Sequence, residues 1–160
     1  MNIQRRTLLR TAAGLVLCGS WSDLVHAESA SALVPVVGLS SPLVDIGLGT
    51  LRRVFLGDPV DAGGRRLVPF NHPPRTRARV TFDQAVLGLG PDMAAQYWVD
   101  QRIRGGARPP RTVASVALLR QVVAQFPGAI TYLPVAELDD SVHVLTIGGQ
   151  GANSPQYPLR

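Results

Sequence analysis

The chain has 160 residues, with 16 basic side chains against 11 carboxylates, a formal net charge of +5 and one cysteine. A single thiol excludes an intramolecular disulfide and a cysteine-ligated metal cluster, and the length suits one domain. Every basic residue other than histidine is arginine, and beyond residue 27 thirteen arginines face ten acids, a surplus too small to call for a nucleic-acid partner.

Residues 1–27 have the three-part layout of a removable signal peptide. Arg5, Arg6 and Arg10 charge the start with no acid among them, and an apolar run follows over 11–18. Val25, His26 and Ala27 then put small or apolar side chains at the cleavage positions. The apolar run is too short to span a bilayer. Arg5-Arg6-Thr7-Leu8-Leu9 resembles the twin-arginine export motif, with Gln4 where Ser or Thr is usual and Leu8 where Phe is commonest. An ordinary secretory signal that happens to hold two arginines is the alternative. Leu17 stands where a lipoprotein site at Cys18 would want a small residue. The expectation is a periplasmic protein cleaved near Ala27, with one domain over 28–160, no cysteine after cleavage and no stable membrane insertion.

In chain order, residues 33–37 predict a short strand, and Pro35, lacking an amide proton, predicts that it lies on a sheet edge. Leu48, Leu51, Val54 and Phe55 recur at helical spacing opposite Arg52 and Arg53. Gly57-Asp58-Pro59 stops that helix, 61–64 is a turn, and 67–70 is a second strand. Ala78, Phe82, Ala85 and Val86 mark one helical face. Pro91 opens the next helix at its first position with Asp92 beside it, and Met93, Ala94, Tyr97 and Trp98 are its expected buried side. After a loop at 105–110, Ser115 caps a helix facing inward through Val116, Leu119, Val122, Val123 and Phe126. Strands follow at 129–133 and 142–147 around the acidic turn 137–140. Interleaved helices and short strands predict an α/β layer fold.

Several of these pieces together resemble the phosphate-binding branch of the periplasmic substrate-binding proteins. They are Val54-Phe55-Leu56-Gly57 at a helix end, Tyr97-Trp98 within a helix, and the Gly-Gly and Pro-Pro pairs of 105–110. Pro127-Gly128-Ala129-Ile130-Thr131-Tyr132 is similar to the family's Pro-Gly-Ala-Ile-Gly-Tyr. The strand at 142–149 and Tyr157-Pro158-Leu159-Arg160 look like its closing segment. Order and spacing agree over residues 48–160. The full-length family folds as two α/β lobes closing on phosphate. The resemblance here implies a short member made of the second lobe, with a small mixed sheet flanked by helices.

That lobe's anion site is an arginine, three residues, then Ser-Gly-Thr opening a helix, where free amides, hydroxyls and a guanidinium grip the anion. Counted back from Phe82, His72 stands at the arginine position and Thr76 at the serine. Arg77 replaces the glycine and Ala78 the threonine. Arg77 can crowd the anion's approach to the backbone, or supply a new charge together with Arg75 and Arg79. The resemblance thus implies phosphate or a similar oxyanion as ligand, on His72, Arg75, Thr76, Arg77 and Arg79. The other reading is a non-catalytic interaction module that has lost ligand binding and docks to an envelope protein, for which 102–111 offers four arginines and no acid. Charge runs are more often plain solvated surface. His72 and His143 fall in no metal-ligand spacing, and no serine lies in a Gly-x-Ser-x-Gly context. The sequence therefore points away from an enzyme and calls for no metal or cofactor.

Overall fold

The computed structural model describes residues 31–160, so the expected signal peptide at 1–27 lies outside the described residues. The elements in order are β1 (Leu33–Gly38), β2 (Asp45–Ile46), α1 (Leu48–Phe55), β3 (Asp61–Ala62), β4 (Arg65–Arg66), β5 (Val68–Asn71), α2 (Arg77–Phe82), α3 (Pro91–Ile103), β6 (Arg111–Thr112), α4 (Val116–Gln125), β7 (Ala129–Pro134), β8 (Val142–Val144) and β9 (Thr146–Ile147). The central sheet has the order β6-β5-β7-β1-β8. Strands β5, β6 and β7 run parallel, while β1 is antiparallel to both β7 and β8. This is the α/β fold that the interleaved pattern predicts, with the small mixed sheet that the resemblance implies.

Register assigns the two faces. A Cβ on Gly38 would lie 2.6 Å from the Val123 carbonyl oxygen of α4, so Val34, Val36 and Gly38 face α4. Pro35 pairs with Tyr132, which puts both on the opposite face. There Tyr132 stacks on Phe82 at 3.8 Å and meets Phe55 of α1 at 5.7 Å. The sheet is covered on both sides, and all six residues of β1 are buried. Removing any one ring of that aromatic group costs about 3–5 kcal/mol. The chain's end straps this core: the Tyr157 hydroxyl donates to Leu33 O at 2.9 Å, and Leu33 N–H donates to Leu159 O at 2.8 Å.

Local rules account for most element ends. Gly63 and Gly64, both at positive φ, make the two-residue turn between β3 and β4. Gly90 and Pro91 open α3. Ser115 Oγ accepts from the Leu118 N–H at 3.3 Å and caps α4. In α1 Leu51, Val54 and Phe55 are buried as the spacing predicts, while Leu48, the first residue of the helix, is exposed.

Four expectations fail for physical reasons. Strand β1 is interior, not an edge. Pro35 O accepts from Leu145 N–H at 2.9 Å, so its polar groups face the β8 side, where the ladder begins only at Val36. The missing donor thus meets the end of β8 and breaks no rung. After α2 the helix widens into a π turn over Asp83–Leu87, ended by Gly88 at φ 68°. The extra residue per turn rotates Ala85 outward and brings Leu87 in beside Val86. Helix α3 buries only Ala94, and Met93 is 62% exposed. Tyr97 still anchors it, its hydroxyl donating to Leu56 O at 2.9 Å. Phe126 is also exposed, because it follows α4 in extended backbone.

Candidate functional site

Because β5, β6 and β7 are parallel, their carboxyl ends share one edge, where open α/β sheets take their ligands. Asn71 ends β5 on that edge, and residues 72–76 turn the chain into α2. Pro73 and Pro74 keep the turn out of helical geometry, and Arg75 sits at φ 66°, a left-handed conformation that costs a side-chain-bearing residue about 1–2 kcal/mol. Thr76, in extended backbone, precedes the first turn of α2.

The structure divides the five candidate residues into two groups. His72 is buried, and its Nε2 lies 2.7 Å from Tyr132 O. A carbonyl can only accept, so Nε2 carries the proton and donates. Burial pushes the His72 pKa below its ordinary 6.5, opposed by the bond to Tyr132 O and reinforced by the charge of Arg79. Asn71 Oδ1 accepts from the Tyr132 hydroxyl at 2.5 Å and from His72 N–H at 3.1 Å. Burial pushes the Tyr132 phenol far up, so it remains a donor. The Thr131 hydroxyl donates to Phe70 O at 2.9 Å and ties β7 to β5 beside this group.

Arg79 belongs to the same interior. Its Nε donates to Asp83 Oδ2 at 2.6 Å, with the two side chains 12% and 4% exposed. The bond spans one helical turn and leaves Asp83 Oδ1 buried without a hydrogen-bond partner. Burial raises the Asp83 pKa, and Arg79 opposes the shift through its hydrogen bond and its charge.

Arg75, Thr76 and Arg77 form the outer group. The Arg75 side chain is 80% exposed, and its guanidinium lies 3.5 Å from Asp92 at the start of α3. Arg77 is exposed. The Thr76 hydroxyl donates to Pro73 O at 2.9 Å and so presents lone pairs outward, not its proton. The turn therefore brings together Arg75, Thr76 and Arg77 at the surface, with His72 and Arg79 underneath. Sequence reasoning missed Asp83, whose signal was its i,i+4 spacing from Arg79, and Asn71 and Tyr132, which fasten the floor of the turn. Among the described residues no three His, Cys, Asp or Glu side chains gather as metal ligands would, and no helix is long and apolar enough to cross a membrane.

Beside the turn, α2, α3 and residues 109–112 enclose a cleft of about 310 Å³ that includes Arg75, Arg79, Asp83, Asp92 and Trp98. Its floor is the Arg79–Asp83 pair.

No protein-family model matches this sequence, and no curated protein sequence does. Solved structures do match the fold. A putative phosphate ABC transporter substrate-binding protein of Clostridium perfringens, with bound phosphate, superposes with a TM-score of 0.62 at 16% identity, over 76% of this chain and 46% of that one. An ABC-type phosphate transport receptor of Vibrio cholerae gives 0.60 at 13% identity, over 75% and 47%. PstS from Borrelia burgdorferi gives 0.61 at 12% identity, over 80% and 53%. The chain spans about half the length of these proteins. With its five-stranded mixed sheet covered on both faces, it has the fold of one lobe of the phosphate ABC transporter substrate-binding proteins.

Proposed function

We propose that the protein is an exported, non-catalytic substrate-binding domain that takes phosphate or a related small oxyanion at the turn between β5 and α2. The observation that carries this reading is the pair of exposed arginines, Arg75 and Arg77, on the carboxyl edge of the parallel strands. A structural neighbour, the Clostridium protein, was solved with phosphate bound. Guanidinium groups suit such a ligand because their paired donors match two oxygens at once.

Each residue has a distinct part. Arg75 and Arg77 supply charge and donors from outside. Thr76 joins them only when its hydroxyl leaves Pro73 O. His72 and Arg79 hold the turn from below, and Arg79 adds its positive field while Asp83 cancels much of it. Asp92 competes with the anion for Arg75. This lobe covers the anion from one side, and ligand pockets that bind well bury most of their ligand.

The test is calorimetric titration of the purified protein with phosphate, and with sulfate as a control. Saturable phosphate binding is expected, weakened at least about tenfold, or 1.4 kcal/mol, in the Arg75→Ala/Arg77→Ala double variant with an unchanged melting temperature. Flat traces for both anions, or full affinity in the double variant, would overturn the reading. Export has its own assay: Arg5→Lys/Arg6→Lys should leave the protein in the cytoplasmic fraction if the twin-arginine route carries it.

A further inference from the structure

The opposite edge of the parallel strands carries a second feature, away from the anion turn. Val68, Arg111 and Ala129 begin β5, β6 and β7 there. Three depressions of about 510, 260 and 270 Å³ adjoin along this edge. The first and second share Arg108 and Pro109, and the second and third share Val68 and Arg111, so they form one continuous groove.

The walls of the groove are built into the fold. Gly57 has φ 92°, and a Cβ on it would lie 2.5 Å from the Ala107 Cβ, so the loop 105–110 packs directly on the backbone that follows α1. Gly106 N–H donates to Gln101 O at 2.8 Å and Val113 N–H donates to Asn71 O at 2.9 Å, which fastens the loop on both sides. The β5–β6 ladder pairs only Phe70 with Arg111 and Asn71 with Thr112. Val68 and Pro69 therefore have no β6 neighbour, and the groove runs past them.

Charge and polarity change along its length. Arg102, Arg108, Arg66 and Arg111 line it, all of them exposed. Among the described residues none of the four has a carboxylate partner. The carboxylate that lines the groove, Asp58, is already held by Arg53 at 3.2 Å. At one end the lining turns apolar, where Val68 is 42% exposed and Phe126 60%, with Pro127 beside them. Unpaired arginines on a convex surface need no explanation. Four along a preformed groove that leads to an exposed phenylalanine complement a ligand that is acidic along its length and apolar at its end. Arginine and aromatic side chains are also what protein interfaces concentrate. A recessed groove admits a chain more readily than a membrane surface, and single-stranded nucleic acid calls for a series of aromatic platforms where this groove exposes one.

We infer that the groove binds an extended acidic segment of a partner protein, with its carboxylates on Arg102, Arg108, Arg66 and Arg111 and an apolar side chain against Val68 and Phe126. Each guanidinium can meet a carboxylate through two parallel hydrogen bonds, and a loop already fixed in place loses little freedom on binding. The inference does not depend on the anion reading, because Arg75 and Arg77 take no part in it.

The experiment is fluorescence anisotropy of the purified protein with a labelled hexaglutamate peptide ending in phenylalanine, and with the same peptide ending in alanine. Saturable binding is expected for both, tighter for the phenylalanine peptide and weaker as salt is raised. Arg108→Ala/Arg111→Ala removes two exposed side chains that hold no ion pair, so the melting temperature should stay while affinity falls at least about tenfold. Phe126→Ala should abolish the advantage of the phenylalanine peptide and leave the alanine peptide as it was. Absence of binding to both peptides would overturn the inference, as would full affinity in the folded double variant or equal wild-type affinity for the two peptides. Cosedimentation with phosphatidylglycerol vesicles in the absence of peptide binding would also overturn it, and would assign the groove to a membrane surface. Phosphate titrated into wild type and the Arg108→Ala/Arg111→Ala variant should give the same result in both, so that either proposal can fail without the other.

Discussion

His72 and Arg79 are held in the interior, by Tyr132 O and by Asp83, whereas Arg75 and Arg77, between them in sequence, are exposed at the surface. Sequence position alone makes these four residues one basic cluster. The turn separates them because the backbone reverses at Arg75, with φ 66°, before α2 begins. Inner residues determine whether the turn exists, and outer residues determine what it meets. Substitutions on the two sides should therefore fail in different ways.

The largest effect is expected on the inner side. Arg79→Ala leaves the buried Asp83 carboxylate without its partner, a loss of about 3–5 kcal/mol for a buried pair broken from one end. Arg79→Met combined with Asp83→Leu removes both charges and keeps the volume, so it should recover most of that loss. Urea denaturation of the two variants measures the difference. Equal stability of Arg79→Ala and the wild type would mean that the pair is not held in the protein's interior in solution. This effect also limits how the anion site can be probed. Replacing Arg79 along with Arg75 and Arg77 would confuse lost binding with lost folding.

A smaller effect comes from pH. Burial depresses the His72 pKa below 6.5 in the folded state, so the unfolded chain takes up a proton that the folded chain resists. The His72 contribution to stability is complete above the ordinary histidine pKa and is lost as pH falls below about 6.5. Asp83, with its pKa raised, acts with the opposite sign. The His72 part of the pH dependence is therefore a fall in melting temperature as pH drops from about 7.5 to 5.5. His72→Gln, which retains a donor for Tyr132 O, should flatten that slope. An unchanged slope in the variant would place the pH dependence elsewhere.

The same inner and outer division explains what was legible in the sequence. Elements set by local rules were: the α1 face, the Asp61–Gly64 turn, Pro91 at the start of α3 and Ser115 at the start of α4 each follow from a few adjacent residues. Positions set by tertiary context were not. Pro35 reads as an edge residue until the shortness of β8 is known, and Met93 reads as core until α3 is seen to bury only Ala94. In the candidate site, sequence located the turn and its arginines. The directions of His72, Arg75 and Arg79 depend on Tyr132, Asp92 and Asp83, which approach from other turns and strands.

The smallest expected effect lies on the outer side, and it tests the backbone instead of the charge. Glycine adopts φ 66° without the steric cost borne by Arg75, and its extra freedom in the unfolded chain offsets part of that gain. The Arg75 guanidinium is mostly exposed and its pair with Asp92 contributes little to stability. Arg75→Gly should therefore leave the protein as stable as before or more stable, by up to about 1 kcal/mol, while Arg75→Ala, with its Cβ retained, should not gain. Both lose the same charge. If the two variants bind phosphate equally weakly yet differ in melting temperature in this order, charge and conformation at Arg75 are separable, and the arginine is kept in a strained position for what its side chain meets outside the fold.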